Sequence, residues 1–518
     1  MPPRPRLIPA LCLLLALAAC LPAAPIPAIS GPIQLVTVDP NATVTPTPFQ
    51  PSAQTDTPVP TWTPVPTELP ALTATLEAPT AAPPPATQDP GAPSPARTQY
   101  IFYATLDYAN HSLLVEETVR YFNATGQPLN EIVMAVPPNL WGGAFSLNAM
   151  TQDGAALGNY SLVGERMSVI LPQALAAGAP TTFVLNFGLN IPAKRYDSTF
   201  GWSGDQVNLT DWFPFIVPFE GGWVLHEPWA FGEHLVYDAA DFELNLKVSD
   251  PSVVIAASAP AQSNGEWTLY RMYAARTFAF SASSSYLVSE SAVGHVAIRT
   301  YYFPGYEGAG DGLLRAATSA VGLFDAKFGP YPYDSRSVVQ TDVADGQEFD
   351  GLVFVGSKFY AEYGGSARSN LISLGVHEIS HNWWFGLVGS DQAMEPWLDE
   401  ALAIYSENTF YYYNYPNYGD WWWNFRVNYF KPGGWVDSTI YDHGTFRSYV
   451  NAAYLNGANF LYDLNMRMGD DDFYRFLRDY AARFSHRRAS GADFFAVLRE
   501  DSRVDVQDLI MAYFQRGY

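Results

Sequence analysis

The alternation of apolar and polar positions divides the chain into regions. Between residues 99 and 298, apolar and polar side chains alternate in short runs, such as 100–108, 113–122 and 242–248. A period of two is typical of strands that bury one face, and turn sequences such as Asp153-Gly154 separate the runs. We therefore predict a large antiparallel β domain over residues 99–298.

From residue 299 onward, the apolar positions recur with a helical period. Leu313, Val321 and Phe328 lie on one face of a helix that should end at Gly329-Pro330. A short apolar run at 337–341 predicts a strand, and the tail of the chain has further amphipathic helical patterns. Residues 299–518 are therefore predicted to form an α/β domain that is mostly helical.

The first twenty residues have the features of a signal peptide. Arg4 and Arg6 precede an apolar run at 7–19, which is too short to span a bilayer. The run ends in Leu17-Ala18-Ala19-Cys20, which resembles a bacterial lipobox. We therefore expect Cys20 to be lipidated and to anchor the protein to the membrane, outside the cytoplasm at the bacterial cell surface. An ordinary cleaved signal with a chance cysteine is the alternative.

Residues 21–98 have the composition of an extended tether. They contain 20 of the 41 prolines of the chain, many threonines and alanines, and only six charged side chains. Such a composition favours polyproline-II structure without a packed core. The segment is predicted to be a disordered stalk between the anchor and the folded domains, and a spacer without any anchor is the alternative.

Charge and cysteine content narrow the range of functions. The formal net charge of −23 argues against a nucleic-acid partner, because such proteins carry a basic surface. The only two cysteines, Cys12 and Cys20, precede the predicted domains. The folded part must therefore be stabilised by packing, without a disulfide framework.

The strongest chemical signal is the run His377-Glu378-Ile379-Ser380-His381. On a helix, residues four apart lie on the same face, so the two imidazoles could bind one zinc ion. Glu378 lies at the edge of that face, where its carboxylate can reach a water on the metal without being a ligand. Eighteen residues separate His381 from Glu400, which a second helix could supply as the third ligand. The alternative is a helix with two half-buried histidines.

The two-part motif resembles the gluzincin peptidases, and its spacing is that of the aminopeptidase N and leukotriene hydrolase family. The flanking sequences, 382–386 and 395–399, are also similar to that family. The resemblance implies an N-terminal β domain followed by a thermolysin-like α/β catalytic domain. It also implies one Zn²⁺ per chain, held by His377, His381 and Glu400, with Glu378 as the general base.

Two further roles come from the resemblance alone. Tyr454, followed by Gly457-Ala458, matches the tyrosine that stabilises the oxyanion, with Tyr449 as the second choice. Glu348 matches the glutamate that holds the free amine of the substrate, although Gln347 and Phe349 depart from the usual pattern around it. The family has a second amine contact, a glutamine of the β domain, that could not be placed in this sequence. Glu407, two helical turns after Glu400, could support a histidine ligand or be an ordinary surface residue.

The sequence therefore predicts a surface-anchored zinc peptidase that acts on peptides. Release of N-terminal residues by a water activated by zinc and Glu378 is the first hypothesis. An endopeptidase or another hydrolase with the same metal site is a second hypothesis, because the strand around Glu348 is altered. A catalytically silent, peptide-binding lipoprotein is a third.

Overall fold

The computed structural model describes residues 96–195 and 198–518. The predicted signal peptide with Cys20 and the predicted tether up to residue 95 lie outside the described residues, and both stay predictions. Among the described residues, no helix is long and apolar enough to cross a bilayer.

The N-terminal region is built from short strands, as the alternation predicts. The strands are β1 (Gln99–Asp107), β2 (Ser112–Phe122), β3 (Leu129–Ala135), β4 (Phe145–Gln152), β5 (Ala155–Ala156), β6 (Tyr160–Val163), β7 (Arg166–Leu175), β8 (Pro180–Asn190), β9 (Gly201–Ser203), β10 (Gln206–Leu209), β11 (Phe215–Ile216), β12 (Ala240–Val248), β13 (Val254–Ala257), β14 (Ala261–Asn264), β15 (Trp267–Ala275) and β16 (Phe280–Ser283).

These strands form three sheets. The largest has eight strands in the order β14-β15-β12-β1-β2-β8-β4-β5, and two four-stranded sheets have the orders β13-β16-β10-β9 and β11-β3-β7-β6. Phe102 of β1 faces inward, and the centroid of its ring lies 4.8 Å from the ring centroids of both Trp212 and Phe213. The alternating burial along β1 and β2 therefore reflects one face in the core and one towards solvent.

One strand pair departs from the predicted antiparallel pattern, because β1 and β12 pair in parallel. Parallel neighbours require a long connection between them. More than a hundred residues separate β1 from β12, and strands of all three sheets lie within that stretch. The alternation of each run predicts the strands themselves, but it contains no information on this long-range pairing.

A fourth sheet, which is mixed and has five strands, supports the helical region. It contains β17 (Leu287–Val293), β18 (Val296–Tyr302), β19 (Ser335–Thr341), β20 (Gly346–Phe349) and β21 (Leu352–Gly356). The order is β17-β18-β19-β21-β20, so β20 lies at an edge. The domain boundary predicted at 298/299 falls within β18. A small two-stranded sheet pairs β22 (Val388–Gly389) with β23 (Arg487–Arg488).

The helices follow the predicted period. They are α1 (Glu307–Phe328), α2 (Ser357–Ala361), α3 (Asn370–His381), α4 (Trp397–Asn414), α5 (Gly419–Trp422), α6 (Phe446–Tyr449), α7 (Gly457–Met468), α8 (Asp470–Arg483), α9 (Gly491–Asp501) and α10 (Gln507–Tyr513). The helix α1 ends at Phe328, directly before Gly329, as the sequence predicts. A β domain followed by a mainly helical α/β domain confirms the predicted fold class.

The helix α3 lies in the middle of the second region. It packs between α1 and α4 and also lies against β20. At Gly375 a Cβ atom would overlap the side chain of Leu313, so glycine permits the close approach of α1 and α3. Eleven of the twelve residues of α3 are buried. The side chains of this helix are therefore held by packing on several sides.

Candidate metal centre

The helix α3 presents the two histidines of the motif side by side. Its first turn is capped by Ser369, whose hydroxyl accepts a hydrogen bond from the backbone N–H of Ile372. One turn apart near its C-terminal end, the rings of His377 and His381 have centroids 4.8 Å apart. A π-helical segment, Asn382–Leu387, continues directly from α3. Such segments are rare and occur frequently at functional sites.

The helix α4 brings Glu400 to the two imidazoles. Glu400 Oε2 lies 3.3 Å from His377 Nε2 and 3.8 Å from His381 Nε2. One ligand atom from each of the three residues lies within 4.8 Å of the other two, and all three residues are buried. The structure thus brings together the three ligands that the sequence predicts.

The chemistry of this group fits a zinc ion. Glu400 Oε2 is buried, and it makes no well-directed hydrogen bond to any described residue. A buried carboxylate oxygen without such a bond, beside two imidazole nitrogens, is suited to a divalent cation. Three protein ligands of the types N, N and O would leave one position open, which is typical of catalytic rather than structural zinc sites.

Each histidine is oriented by a carboxylate on its other ring nitrogen. Glu407 Oε1 lies 3.1 Å from His377 Nδ1, so Glu407 occupies the supporting position considered for it from the sequence. Glu407 in turn accepts hydrogen bonds from Arg426, with Nη2 at 2.6 Å, and from the indole of Trp422 at 3.0 Å. Such contacts fix the tautomer and the direction of a ligating imidazole.

The partner of His381 is Asp399, which the sequence reasoning missed. Its Oδ1 hydrogen-bonds with His381 Nδ1, and its Oδ2 accepts a hydrogen bond from Gln392 Nε2 at 2.7 Å. Asp399 directly precedes Glu400, so the first turn of α4 supplies both a ligand and the support of another ligand. Its neighbourhood in the sequence was the only available signal for this role.

The carboxylates increase the basicity of both imidazoles. Burial alone would lower the pKa of His377, but the nearby carboxylates of Glu400 and Glu407 outweigh it and raise that pKa to about 10. Burial also lowers the pKa of His381, but the charge of Asp399 and the hydrogen bond to it outweigh burial, so the pKa of His381 is raised. An imidazole binds a metal only in its neutral form, so an arriving cation would have to displace protons here.

Glu378 lies next to the ligands and faces the edge strand. A Cβ atom at Gly346 of β20 would overlap its carboxylate, which shows how closely strand and side chain approach. Burial, opposed by the two histidines, raises the pKa of Glu378 to about 7. A carboxylate with that pKa can accept and return a proton near neutral pH.

Two tyrosines line the other side of the site. Tyr454 belongs to a second π-helical segment, Val450–Asn456, and its ring is parallel to that of His377 at 6.4 Å. Burial, together with the charge of Glu400, raises the pKa of Tyr454 well above 10, so its hydroxyl stays protonated. The ring of Tyr449 lies 5.3 Å from that of Tyr454. Both candidates from the sequence are therefore at the site.

Glu348 and a residue missed from the sequence, Glu233, form an acidic pocket beside the ligands. Glu348 lies on β20, and Glu233 lies in the long connection between β11 and β12. The amide of Gln347 joins them, with Nε2 2.8 Å from Glu348 Oε2 and 3.5 Å from Glu233 Oε1. Burial, and then the negative charge of Glu233, raises the pKa of Glu348 well above 4.5. For Glu233, burial and the charges of nearby acids raise the pKa to about 8.

Comparisons with known proteins agree with this geometry. Residues 330–514 match the model of the peptidase family M1 domain. Over 239 residues the chain is 26% identical to aminopeptidase M1-B of Oryza sativa subsp. japonica, and this match covers 43% of the chain. It spans only 27% of that rice protein.

Solved structures show the same architecture. The M1 zinc metallopeptidase from Deinococcus radiodurans aligns over 82% of this chain and 94% of its own, with a TM-score of 0.61 and 17% identity. A Glu→Ala mutant of that Deinococcus radiodurans enzyme, bound to a Tyr-Ser-Ala substrate, aligns over the same shares with a TM-score of 0.59 and 17% identity. Residues 330–514 therefore correspond to a peptidase family M1 (gluzincin) domain, and the overall fold agrees with this match.

Proposed function

We propose that the protein is a zinc aminopeptidase, which hydrolyses the first peptide bond of peptides with a free N-terminus. The observation that carries this proposal is the acidic pocket of Glu348 and Glu233 beside the three ligands. One buried carboxylate, Glu348, and one half-buried carboxylate, Glu233, favour a substrate ammonium group, which forms strong charge-assisted hydrogen bonds with them. The distance from this pocket to the ligands then selects which bond is cleaved.

The charge balance of the site supports this substrate class. Burial raises the pKa of Glu233 and Glu348, so their ionised forms are disfavoured without a cation. A bound α-ammonium group would supply the missing positive charge and stabilise the ionised carboxylates. A substrate with a blocked amine cannot do so, and it would leave polar groups buried without partners.

The residues around the ligands can perform the remaining steps. When bound, a zinc ion polarises the scissile carbonyl and acidifies water. Glu378 takes a proton from the attacking water and delivers it to the leaving amine. The hydroxyl of Tyr454, which stays protonated, donates a hydrogen bond to the oxygen that becomes negative in the tetrahedral intermediate.

The edge strand β20 supports the proposed peptide binding. Among the described residues, β21 is its one neighbour in the sheet, so backbone groups on its other side are available for an extended peptide. Because Glu348 and the glycine that contacts Glu378 both lie on β20, amine recognition and cleavage occur along one strand.

The test compares three kinds of substrate and two variants. We expect hydrolysis of aminoacyl-arylamides and of peptides with a free N-terminus, and at least hundredfold lower kcat/KM for N-acetylated peptides. Glu378→Gln should lower kcat by about 10²–10⁴-fold, because the general base is removed. Glu500→Gln, an exposed glutamate on α9, is the control and should keep the activity. Equal cleavage of free and acetylated peptides would instead identify an endopeptidase, and no turnover at all would indicate a silent binding protein.

We also propose that the enzyme acts outside the cytoplasm, anchored through a lipid on Cys20 and raised from the membrane by the segment 21–98. Support comes from the apolar run, the lipobox-like ending and the proline content of that segment. Metabolic labelling with a radioactive fatty acid tests it. The wild-type chain should be labelled and recovered with membranes, whereas Cys20→Ser should be neither.

A further inference from the structure

The carboxylate of Glu348, in the acidic pocket, is held by a side-chain amide on each of its two oxygens. Gln347, its neighbour on β20, donates a hydrogen bond from Nε2 to Glu348 Oε2 at 2.8 Å. Gln392, in the loop between β22 and α4, donates from Nε2 to Glu348 Oε1 at 3.3 Å. Glu348 and Gln392 are buried, and Gln347 is half-buried. The direction of this carboxylate is therefore set by two amides from different parts of the chain.

Each of the two amides also contacts a second carboxylate. Gln347 Nε2 lies 3.5 Å from Glu233 Oε1 in the same pocket. Gln392 Nε2 donates to Asp399 Oδ2 at 2.7 Å, and Asp399 hydrogen-bonds with the imidazole of His381. A primary amide nitrogen has two hydrogens, so it can serve two carboxylates at once. The hydrogen bonds thus continue from the acidic pocket to a ligand of the metal centre.

The two amides leave the charge of Glu348 available to a ligand. An ionised carboxylate has about four lone-pair sites, of which two amide hydrogens use two. Because a glutamine amide is neutral, it stabilises the ionised form of the carboxylate without cancelling its charge. A lysine or an arginine in the same place would be an internal cation and would compete with a cation from outside. Neutral donors at both oxygens therefore suit the binding of a substrate ammonium group.

We propose that Gln347 and Gln392 are positioning residues, which orient the carboxylate of Glu348 towards the amine of the substrate and leave its negative charge for that amine. The pair of neutral donors on the two oxygens of one buried carboxylate carries this inference, which rests on the proposed aminopeptidase function. Gln347 fixes Glu348 relative to Glu233. Gln392 fixes Glu348 relative to the metal centre, so the amine and the first peptide bond are held at a constant separation.

The first test measures kcat and KM separately for leucine p-nitroanilide, which has a free amine. Gln347→Met keeps the length of the side chain but removes the donor. We expect its KM to rise about ten- to hundredfold, with kcat changed less than about threefold, because ground-state binding is lost. Its zinc affinity, measured by competition with a chelator, should equal that of the wild type. Gln262→Met, at an exposed position of β14, is the matched control and should keep both kinetic constants.

Two further variants separate the role in position from the role in charge. Gln347→Lys keeps a donor for Glu348 but brings its own positive charge. A merely structural role would be preserved in this variant, whereas binding of the substrate amine would be blocked, and KM should rise by about hundredfold or more. Gln392→Met, assayed at saturating zinc, should also raise KM, and it should weaken zinc binding because Asp399 loses a donor.

Every outcome decides for or against the inference. If Gln347→Met and Gln392→Met keep the wild-type KM, or if they lower kcat/KM equally for free and N-acetylated peptides, the amides serve packing and the inference is wrong. A wild-type KM in Gln347→Lys would show that an internal cation does no harm, which also contradicts it. If Gln347→Met does not fold, the other two variants still give the answer. If the wild type does not prefer a free amine, the proposed function itself fails, and this differs from a wild-type preference that survives in all variants.

Discussion

Replacing Asp399 by Asn should weaken metal binding although no ligand is changed. Asp399 accepts two hydrogen bonds, one from His381 Nδ1 and one from Gln392 Nε2 at 2.7 Å. A carboxylate can accept both, but an amide has only one oxygen. In Asp399→Asn, the amide nitrogen must therefore face one of the two donors, which is unfavourable. The conflict is relieved only if His381 changes its tautomer or Gln392 changes its orientation.

Either change, in the tautomer of His381 or in the orientation of Gln392, reduces the affinity for zinc. If the amide nitrogen faces His381, then Nδ1 must accept, the proton moves to Nε2, and the nitrogen that faces Glu400 can no longer bind a metal. If the amide nitrogen of the variant faces Gln392, then Gln392 must turn its own oxygen towards that nitrogen. The same oxygen would then also face Glu348, whose Oε1 lies 3.3 Å from Gln392 Nε2 in the wild type. Loss of such a supporting contact typically lowers metal affinity about 10–100-fold. This corresponds to about 1.4–2.8 kcal/mol of binding free energy.

Competition with a fluorescent zinc chelator measures the effect on the full chain. Asp391→Asn is the control, because Asp391 pairs with His226 at 2.8 Å and its carboxyl group makes the same chemical change away from the ligands. We expect weaker zinc binding for Asp399→Asn and a wild-type dissociation constant for Asp391→Asn. An unchanged zinc affinity in Asp399→Asn would refute the idea that Asp399 fixes the tautomer of His381.

Two further predictions concern stability. Burial raises the pKa of Glu117 well above 4.5, and neither carboxylate oxygen has a hydrogen-bond donor among the described residues. The folded state thus holds this proton more tightly than the unfolded state, so the contribution of Glu117 is most favourable below pH 4.5 and declines as the pH rises. Glu117→Met should stabilise the protein by about 1–3 kcal/mol at pH 7.5 in urea unfolding, whereas Glu116→Met, on the exposed face of β2, should have little effect. Arg276 is buried and donates hydrogen bonds to backbone carbonyls of three separate segments. Arg276→Met should therefore lower the free energy of unfolding by about 3–5 kcal/mol. A decrease below about 1 kcal/mol would show that Arg276 does not hold these segments together.

The sequence predicts those parts of the site whose geometry is local. His377, Glu378 and His381 share one turn of a helix, and the period of that helix is enough to place two imidazoles together. Glu400 required only a second helix at a known separation. For the histidines the helical period contains the necessary information, whereas for Glu400 it came from the motif spacing of the family that the sequence resembles.

The remaining parts depend on contacts between distant segments. Glu233 lies in a connection without regular structure, more than a hundred residues before Glu348, and no pattern links the two. The same holds for the parallel pairing of β1 with β12. Tertiary packing decides these features, and packing is not visible in a local pattern.

X-ray diffraction from crystals of the protein, recorded on both sides of the zinc absorption edge, tests the central claim most directly. We expect a single anomalous peak per chain, within bonding distance of His377 Nε2, His381 Nε2 and the carboxylate of Glu400. In crystals of Glu400→Gln grown at the same zinc concentration, this peak should be much weaker. A peak elsewhere, or none between these three side chains in crystals grown with zinc, would contradict the assignment of the metal centre.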